Sequence, residues 1–228
     1  LNKLKVINDF TALALALPSL PIAQRIQVGG DSACAHAAIA LIGPGTGLGV
    51  SGLIPHGDKG WSPIAGEGGH ITLAAHNTLE YQVIEHIRGQ YGHASAERVL
   101  CGQGLVDLHL ALAAIERRTP AADITPMDIV QGALGQQDRA CLRTLDMFAS
   151  FLGSVAGDLA LTLGARGGVY IGGGIVPRLM GWFETSKFRA SFEAKGRFAA
   201  YLQPIPVWVI QASESPALWG AANALDND

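Results

Sequence analysis

The chain has 228 residues, of which 49% are hydrophobic and 15% are charged, and its formal net charge is −3. This composition is typical of a folded α/β protein and excludes general disorder. Lysine and arginine are scattered without a basic stripe, which argues against nucleic acid as a partner. The three cysteines, Cys34, Cys101 and Cys141, form no CxxC pair and no disulfide framework, so a reducing cytoplasm fits best.

A membrane span is not expected. The longest helix-like apolar stretch, Met147 to Gly157, is shorter than the roughly 20 residues that cross a bilayer, and Asp158 ends it. The chain begins at Leu1 without a methionine, and the pattern of a strand already starts at Leu4. We therefore expect that another segment precedes it in the parent protein.

The first half of the chain alternates short strands with helices. Short hydrophobic runs predict strands, and apolar residues at helical spacing predict helices. The predicted strands are 4–7, 25–28, 37–42 and 50–54. The predicted helices are 10–17, 79–87 with Asn77 as its cap, 95–100 and 105–112.

Helices dominate the second half. Thr125-Pro126-Met127-Asp128 combines an N-cap, a proline in the first turn and a capping-box partner, and so predicts a helix start. The other predicted helices are 138–163, 180–184, 188–194 and 217–225, and the predicted strands are 167–171 and 205–210. Gly153 and Gly157 would let another element pack closely on the long helix. This order of elements indicates a layered α/β architecture.

A glycine-rich loop, Gly43 to Gly49, follows the buried strand 37–42 and precedes a returning strand, so it forms the tip of a hairpin. Glycines let the backbone N–H groups approach an anion, and Thr46 adds a hydroxyl at the tip. A plain tight turn is the alternative interpretation.

A second glycine-rich loop follows the returning strand. In it, Glu67 and His70 stand among three glycines, and a carboxylate with an imidazole suits hydrogen bonding to hydroxyl groups. A solvated loop is the alternative there.

Asn8 and Asp9 precede the helix 10–17, where a carboxylate is favoured by the free N–H groups and the helix dipole. The local sequence alone therefore favours the interpretation that Asn8 and Asp9 simply cap this helix.

Six motifs, taken together and in order, are highly specific. They are Ile7–Phe10, Gly43–Gly49, Gly66–His70, Ser95–Leu100, Gly167–Ile175 and Lys195–Phe198. Because of these motifs, the chain resembles the sugar kinases of the hexokinase–actin ATPase superfamily and, more narrowly, the bacterial glucokinase family. The resemblance covers essentially the whole chain.

This resemblance implies a ribonuclease-H-like, actin-like ATPase fold with a nearly complete large domain and a truncated small domain. Residues 1–20 would be a remnant of the small domain, 21–212 the large α/β domain, and 213–228 a C-terminal helix returning to the small domain. Family members begin with a phosphate loop of the Asp-x-Gly-Gly-Thr type, which these 228 residues do not contain. We therefore expect an N-terminally truncated form with impaired turnover.

The resemblance also implies the reaction, ATP-dependent phosphorylation of glucose at its 6-hydroxyl, the first step of glycolysis. Asp9 matches the catalytic base. The residues that match sugar ligands are Asn8, Glu67, His70 and Glu97. The residues that match the nucleotide loops are Gly45, Thr46, Gly47, Gly172, Gly173 and Gly174. ATP would act with Mg²⁺, and no protein ligand to a metal is assigned.

Two alternatives stay open at this point. One is a non-catalytic sugar-binding or oligomerising module of the same fold, and the other is a kinase for a different hexose or an amino sugar. The resemblance further implies a homodimer, and the cysteine usage favours the cytoplasm. Structural zinc is not expected, because residues 71–76, which follow the histidine of the sugar loop, contain no cysteine.

Overall fold

The structure, a computed structural model, describes residues 4–58, 60–212 and 214–226. Its centre is a six-stranded sheet with the strand order β1-β6-β5-β2-β3-β4. β2, β5 and β6 run parallel, whereas β2, β3 and β4 form an antiparallel meander and β1 pairs antiparallel with β6. The strands are β1 (Arg25–Gln27), β2 (Ile39–Pro44), β3 (Leu48–His56), β4 (Gly60–Ala65), β5 (Val169–Ile171) and β6 (Val207–Ile210).

Eight α-helices are described around this sheet. They are α1 (Asp9–Ala16), α2 (Thr78–Tyr91), α3 (Gly102–Ile115), α4 (Pro126–Leu134), α5 (Arg139–Leu163), α6 (Phe188–Glu193), α7 (Ala199–Leu202) and α8 (Ala217–Asp226). Two predicted caps are confirmed: Asn77 accepts a hydrogen bond from the Glu80 N–H, and Thr125 and Asp128 form the capping box of α4. Asp138, predicted as part of the long helix, is the N-cap of α5.

The two faces of the sheet bury different clusters, because successive strand side chains point to opposite sides. Ile42 and Ile171 face the larger core, which is built on α5. Leu41, Tyr170 and Trp208 face the smaller cluster, to which α1 contributes.

The long helix α5 has the predicted extent, but its apolar stretch is longer than expected. The apolar stretch does not end at Asp158 but continues to Leu163, and among the described residues this 25-residue helix is long and apolar enough to cross a membrane. Its most apolar window is 72% buried inside the protein, as in a core helix. The close packing at its glycines is confirmed, since a β-carbon at Gly157 would lie 2.5 Å from the carbonyl oxygen of Phe192.

The predicted strand 4–7 is wrong. In the described part of the chain, residues 4–7 are not assigned to a strand. Leu4 and Val6 are 80% and 89% exposed, so the apolar side chains that suggested a strand are not buried against a sheet.

The predicted helix 95–100 is also wrong, because this segment is a chain of turns. The Glu97 N–H donates to the carbonyl of Gly69 across the site, at 2.8 Å, instead of to its own segment. The predicted helix 180–184 is replaced by a short 3₁₀ turn, Phe183–Thr185. Strand β4 was not predicted; it is an edge strand that accommodates Pro63 opposite Leu53.

Candidate active site

The glycine hairpin joins β2 to β3 and is tied to the start of α3. The Gly45 N–H donates to the carbonyl of Gly47 at 2.8 Å, and the Gly45 carbonyl accepts from the N–H of Gly102 at 2.9 Å. Thr46 lies exposed at the tip. The hairpin is therefore held on both sides while its tip remains accessible.

Phe10 explains two of the hairpin's glycines. Gly43 and Gly49 are paired across the strands, and a β-carbon at either would overlap the ring of Phe10. These two positions are glycine because an aromatic ring packs on them, and not for the approach of an anion. Sequence reasoning missed this contact, although paired glycines at the base of a hairpin indicate that another element approaches closely.

Asn8 and Asp9 lie at the N-terminus of α1, the helix that Phe10 holds against the hairpin. The Asn8 Oδ1 accepts hydrogen bonds from the N–H groups of Phe10, at 2.8 Å, and Thr11, at 3.4 Å. The interpretation of Asn8 as a cap is therefore confirmed. Asp9 is the first residue of the helix, its Oδ1 accepts from the Phe10 N–H at 2.8 Å, and its side chain is exposed.

Glu97 connects the second polar loop to the hairpin. Its Oε2 accepts from the N–H of Leu48 at 2.9 Å, and its Oε1 lies 3.9 Å from Nδ1 of His70. A β-carbon at Gly47 would lie 2.6 Å from the same Oε2, so glycine is needed there for the carboxylate to reach the hairpin. Glu67 is exposed, and its carbonyl accepts from the N–H of His70 at 3.0 Å.

The second glycine loop, Gly172–Gly174, adjoins the first because β5 and β2 are parallel neighbours. The Gly172 N–H donates to the carbonyl of Ile42 at 2.8 Å. Gly173 has φ of +78°, and a β-carbon there would overlap the carbonyl oxygen of Pro44, so both conformation and space require glycine.

A groove of about 790 Å³ opens between the two loops; we call it the glycine-loop groove. Gly45, Thr46 and Gly174 line one part of it, and apolar residues of α4 and of the segment after β5 line another. Backbone N–H groups beside an apolar wall suit a ligand that is anionic at one end and flat at the other. Among the described residues, no cluster of histidine, cysteine, aspartate and glutamate could hold a metal ion.

A polar network around the buried side chain of Asp107 supports the wall of this groove and was missed by sequence reasoning. Gln103, which lines the groove, donates from Nε2 to Asp107 at 3.0 Å, and Asp107 also accepts from the Tyr91 hydroxyl at 2.8 Å. Burial, with the bond to Asp107, raises the pKa of Tyr91. Arg98 stacks on the ring of Tyr91, 4.0 Å from its centroid. The i, i+4 spacing of Gln103 and Asp107 was the available signal.

Cys101 caps α3 beside the hairpin. Its sulfur accepts a hydrogen bond from the N–H of Gly104 at 3.3 Å, and burial raises the pKa of its thiol. This cysteine is therefore a structural cap that stays protonated.

The structure brings the candidate residues together in two groups. Direct contacts join His70, Glu97 and the hairpin, and the two glycine loops share one groove. Asn8 and Asp9 reach the hairpin through Phe10. A mixed sheet with glycine loops after two adjoining parallel strands is the ribonuclease-H-like arrangement of the actin-like ATPases, the class to which hexokinase-type sugar kinases belong.

Comparison with known proteins identifies the family within this class. The Glucokinase family model matches residues 1–228, and the chain therefore belongs to the glucokinase family. It is 53% identical over 227 residues to a glucokinase of Aromatoleum aromaticum, covering all of this chain and 68% of that protein.

Solved structures show the same likeness. The chain superposes on a crystal structure of glucokinase from an Antarctic psychrotroph with a TM-score of 0.90 and 37% identity, covering 98% of this chain and 68% of that one. A ROK family glucokinase from Streptomyces griseus, solved with glucose and AMPPNP, shares the fold, with a TM-score of 0.63 at 21% identity over 96% of this chain and 67% of that one. The chain thus spans about two thirds of the length of these relatives.

Proposed function

We propose that this chain carries the sugar site and a phosphate loop of an ATP-dependent glucokinase, which transfers the γ-phosphoryl group of ATP to the 6-hydroxyl of glucose. The observation that carries the proposal is the packing of Phe10 on Gly43 and Gly49. It holds the helix end that bears Asp9 against the base of the glycine hairpin. Phosphoryl transfer requires that the base and the phosphate loop be held in a fixed relative position.

Asp9 is the general base in this proposal. Its exposed carboxylate accepts the proton of the sugar 6-hydroxyl as that oxygen forms a bond to the γ-phosphorus and the bond from phosphorus to the leaving oxygen of ADP breaks. The short helix α1 presents this carboxylate from a fixed N-terminus.

Asn8, Glu67, His70 and Glu97 bind the other sugar hydroxyls. The Oδ1 of Asn8 is engaged in capping, so its amide N–H₂ is the group left to donate to a hydroxyl oxygen. One oxygen of Glu97 is engaged with Leu48, and the other is directed toward His70, where it can accept from a sugar hydroxyl. A site that pairs hydroxyl groups in this way rejects analogues that lack them.

ATP binds in the glycine-loop groove. Gly45, Thr46 and Gly47 contact its phosphates, Gly172, Gly173 and Gly174 lie near the adenosine, and the apolar wall takes the base. When bound, Mg²⁺ neutralises phosphate charge and is carried by the phosphate oxygens, because magnesium commonly binds through substrate phosphates. The Streptomyces griseus relative was solved with AMPPNP, which supports an adenine nucleotide as the ligand.

We also propose the division into residues 1–20, 21–212 and 213–228, with the first and last belonging to the small domain. The packing of α1 on α8 supports it, since a β-carbon at Gly220 would overlap the carbonyl oxygen of Ala12. The protein acts as a cytoplasmic homodimer at the first step of glycolysis. Light scattering after size-exclusion chromatography tests the dimer.

A non-catalytic sugar-binding module is the competing function, and it is favoured by the hydrogen bond from the Phe10 N–H to Asp9 Oδ1, which accounts for this carboxylate at the helix end without a catalytic role. Formation of glucose 6-phosphate with Mg-ATP, by the chain and by an Asp9→Ala variant, separates the two. Slow turnover that disappears in the variant supports the kinase. Equal rates in both contradict Asp9 as the base, and glucose binding without any turnover supports the module.

A further inference from the structure

A second groove, of about 770 Å³, lies at the opposite end of the parallel strands from the glycine loops. Ala37 and Ile39, at the start of β2, and Gly167, just before β5, contribute to its wall, whereas the glycine loops follow the ends of these strands. We call it the arginine groove, after Arg25 in its wall.

The pairing of β1, β6 and β5 brings together the side chains that form the floor of the arginine groove. Gln27 of β1 is opposite Trp208 of β6, and Tyr170 of β5 is the other neighbour of Trp208. Since side chains two residues apart share a face, Arg25 lies on the same side of the sheet as Gln27 and the two aromatic rings. The edge strand β1 thereby places a cation over a buried aromatic pair.

Arg25 is held there without a carboxylate. Its guanidinium carbon lies 4.7 Å from the ring centroid of Trp208 and 5.6 Å from that of Tyr170, and it donates a hydrogen bond to the Tyr170 hydroxyl. Within the described residues, no carboxylate pairs with this guanidinium. Its Nε is buried without a hydrogen-bond partner, as is Oε1 of the adjacent Gln24.

An unpaired, half-buried guanidinium favours an anion, because a desolvated charge is costly until it is paired and hydrogen-bonded. Its planar N–H donors match a carboxylate. Trp61, in edge-on contact with His36 at 5.8 Å between ring centroids, adds an aromatic wall. Asp31 also lines the groove, and its negative charge disfavours multiply charged anions such as nucleotides.

We propose that the arginine groove binds a small monocarboxylate with a flat apolar body. The carboxylate pairs with Arg25, and the body lies against Trp61. This binding is separate from the glycine-loop groove and does not depend on kinase activity.

Benzoate is the probe, and benzamide is its neutral counterpart of nearly the same shape. Saturation-transfer NMR titrations of the 228-residue chain give the dissociation constant of each. We expect benzoate to bind at least about tenfold more tightly than benzamide, because only the carboxylate forms charge-assisted hydrogen bonds with the guanidinium. Equal affinities, or no saturation transfer to benzoate, would overturn the proposal.

Arg25→Gln locates the site, and Arg139→Gln, on the exposed first residue of α5, is the matched control. We expect Arg25→Gln to weaken benzoate binding about tenfold, Arg25→Lys to weaken it less, and Arg139→Gln to leave it unchanged, since only position 25 supplies the ion pair. Thermal unfolding of each variant verifies that it is folded. Unchanged affinity in folded Arg25→Gln would show that benzoate binds elsewhere and would refute the assignment.

Discussion

The ring of Phe10 occupies the space into which a β-carbon at Gly49 would project. This contact joins the helix that bears Asp9 to the hairpin that bears Thr46, two segments some forty residues apart in the sequence. The relative position of the proposed base and phosphate loop therefore depends on a packing contact as well as on polar groups.

Gly49→Ala should destabilise the protein, because the new methyl group displaces the ring from a closely packed position. We expect a loss of about 1–3 kcal/mol in the free energy of unfolding, measured with urea. Gly89→Ala is the control, since a β-carbon at this position in α2 meets nothing within 4 Å. It should stabilise the helix by about 0.5–1 kcal/mol. Equal effects of the two substitutions would contradict the contact.

Gly47→Ala should weaken glucose binding while Gly45→Ala should not. A β-carbon at Gly47 lies 2.6 Å from Glu97 Oε2 and pushes the carboxylate away from Leu48, whereas at Gly45 the nearest atom is 3.9 Å away. The displaced carboxylate no longer faces the sugar hydroxyl, and loss of its charged hydrogen bond to glucose costs about 1.5–3 kcal/mol, which corresponds to roughly 10–150-fold in affinity. Calorimetric titration measures the glucose affinity of both variants. Equal affinities would show that Glu97 does not connect the hairpin to the sugar.

Asn8 serves as a cap, and its proposed sugar contact can be separated from that role. Asn8→Ala removes the cap of α1 and should cost about 1 kcal/mol of stability. Asn8→Ser keeps a capping oxygen but lacks the amide N–H₂, so its stability should be close to that of the parent chain while its glucose affinity falls. Unfolding and calorimetric titrations of the two variants test this, and unchanged affinity in Asn8→Ser would remove Asn8 from the sugar site.

His109 should make stability depend on pH. Its ring lies 3.0 Å from Thr144 Oγ1, whose hydroxyl donates to the carbonyl of Ala140, so Nδ1 carries the proton of a neutral ring. Burial, helped by the positive charge of Arg118, lowers the pKa of His109 in the folded state. The unfolded chain therefore takes up the proton at a higher pH, and stability falls as the pH drops through the usual histidine pKa near 6.5.

Urea unfolding at pH 7.5 and 5.5 measures this dependence. His109→Gln, which keeps a donor for Thr144 but does not titrate, should reduce the difference between the two pH values. An identical difference in the variant would assign the pH dependence to other groups.

Features encoded by neighbouring residues could be predicted from the sequence. The capping box at Thr125 and Asp128 and the cap at Asn77 involve groups within one helical turn, and the structure has them. The buried strand Ile39–Pro44 and its return also follow from one continuous apolar run and the glycines after it.

Features that depend on distant partners could not be predicted. Strand β4 forms by pairing with the edge of β3, although its own sequence has only a weak strand pattern. Residues 4–7 have a strand-like pattern but are not assigned to a strand, and Leu4 and Val6 remain exposed. Likewise, Glu97 bonds to Leu48 across 49 positions, and this contact replaced the helix expected at 95–100. The family resemblance supplied the roles of these residues, but not the contacts that hold them.

Glucose binding by the 228-residue chain, followed by isothermal titration calorimetry with a Glu97→Ala variant beside it, tests the sugar site most directly. We expect weak but saturable binding in the parent chain and at least a tenfold loss in the variant, since the deleted carboxylate supplies charged hydrogen bonds. Circular dichroism verifies that the variant is folded. Equal affinity in the two proteins, or no heat of binding in the parent chain, would contradict the proposed sugar site.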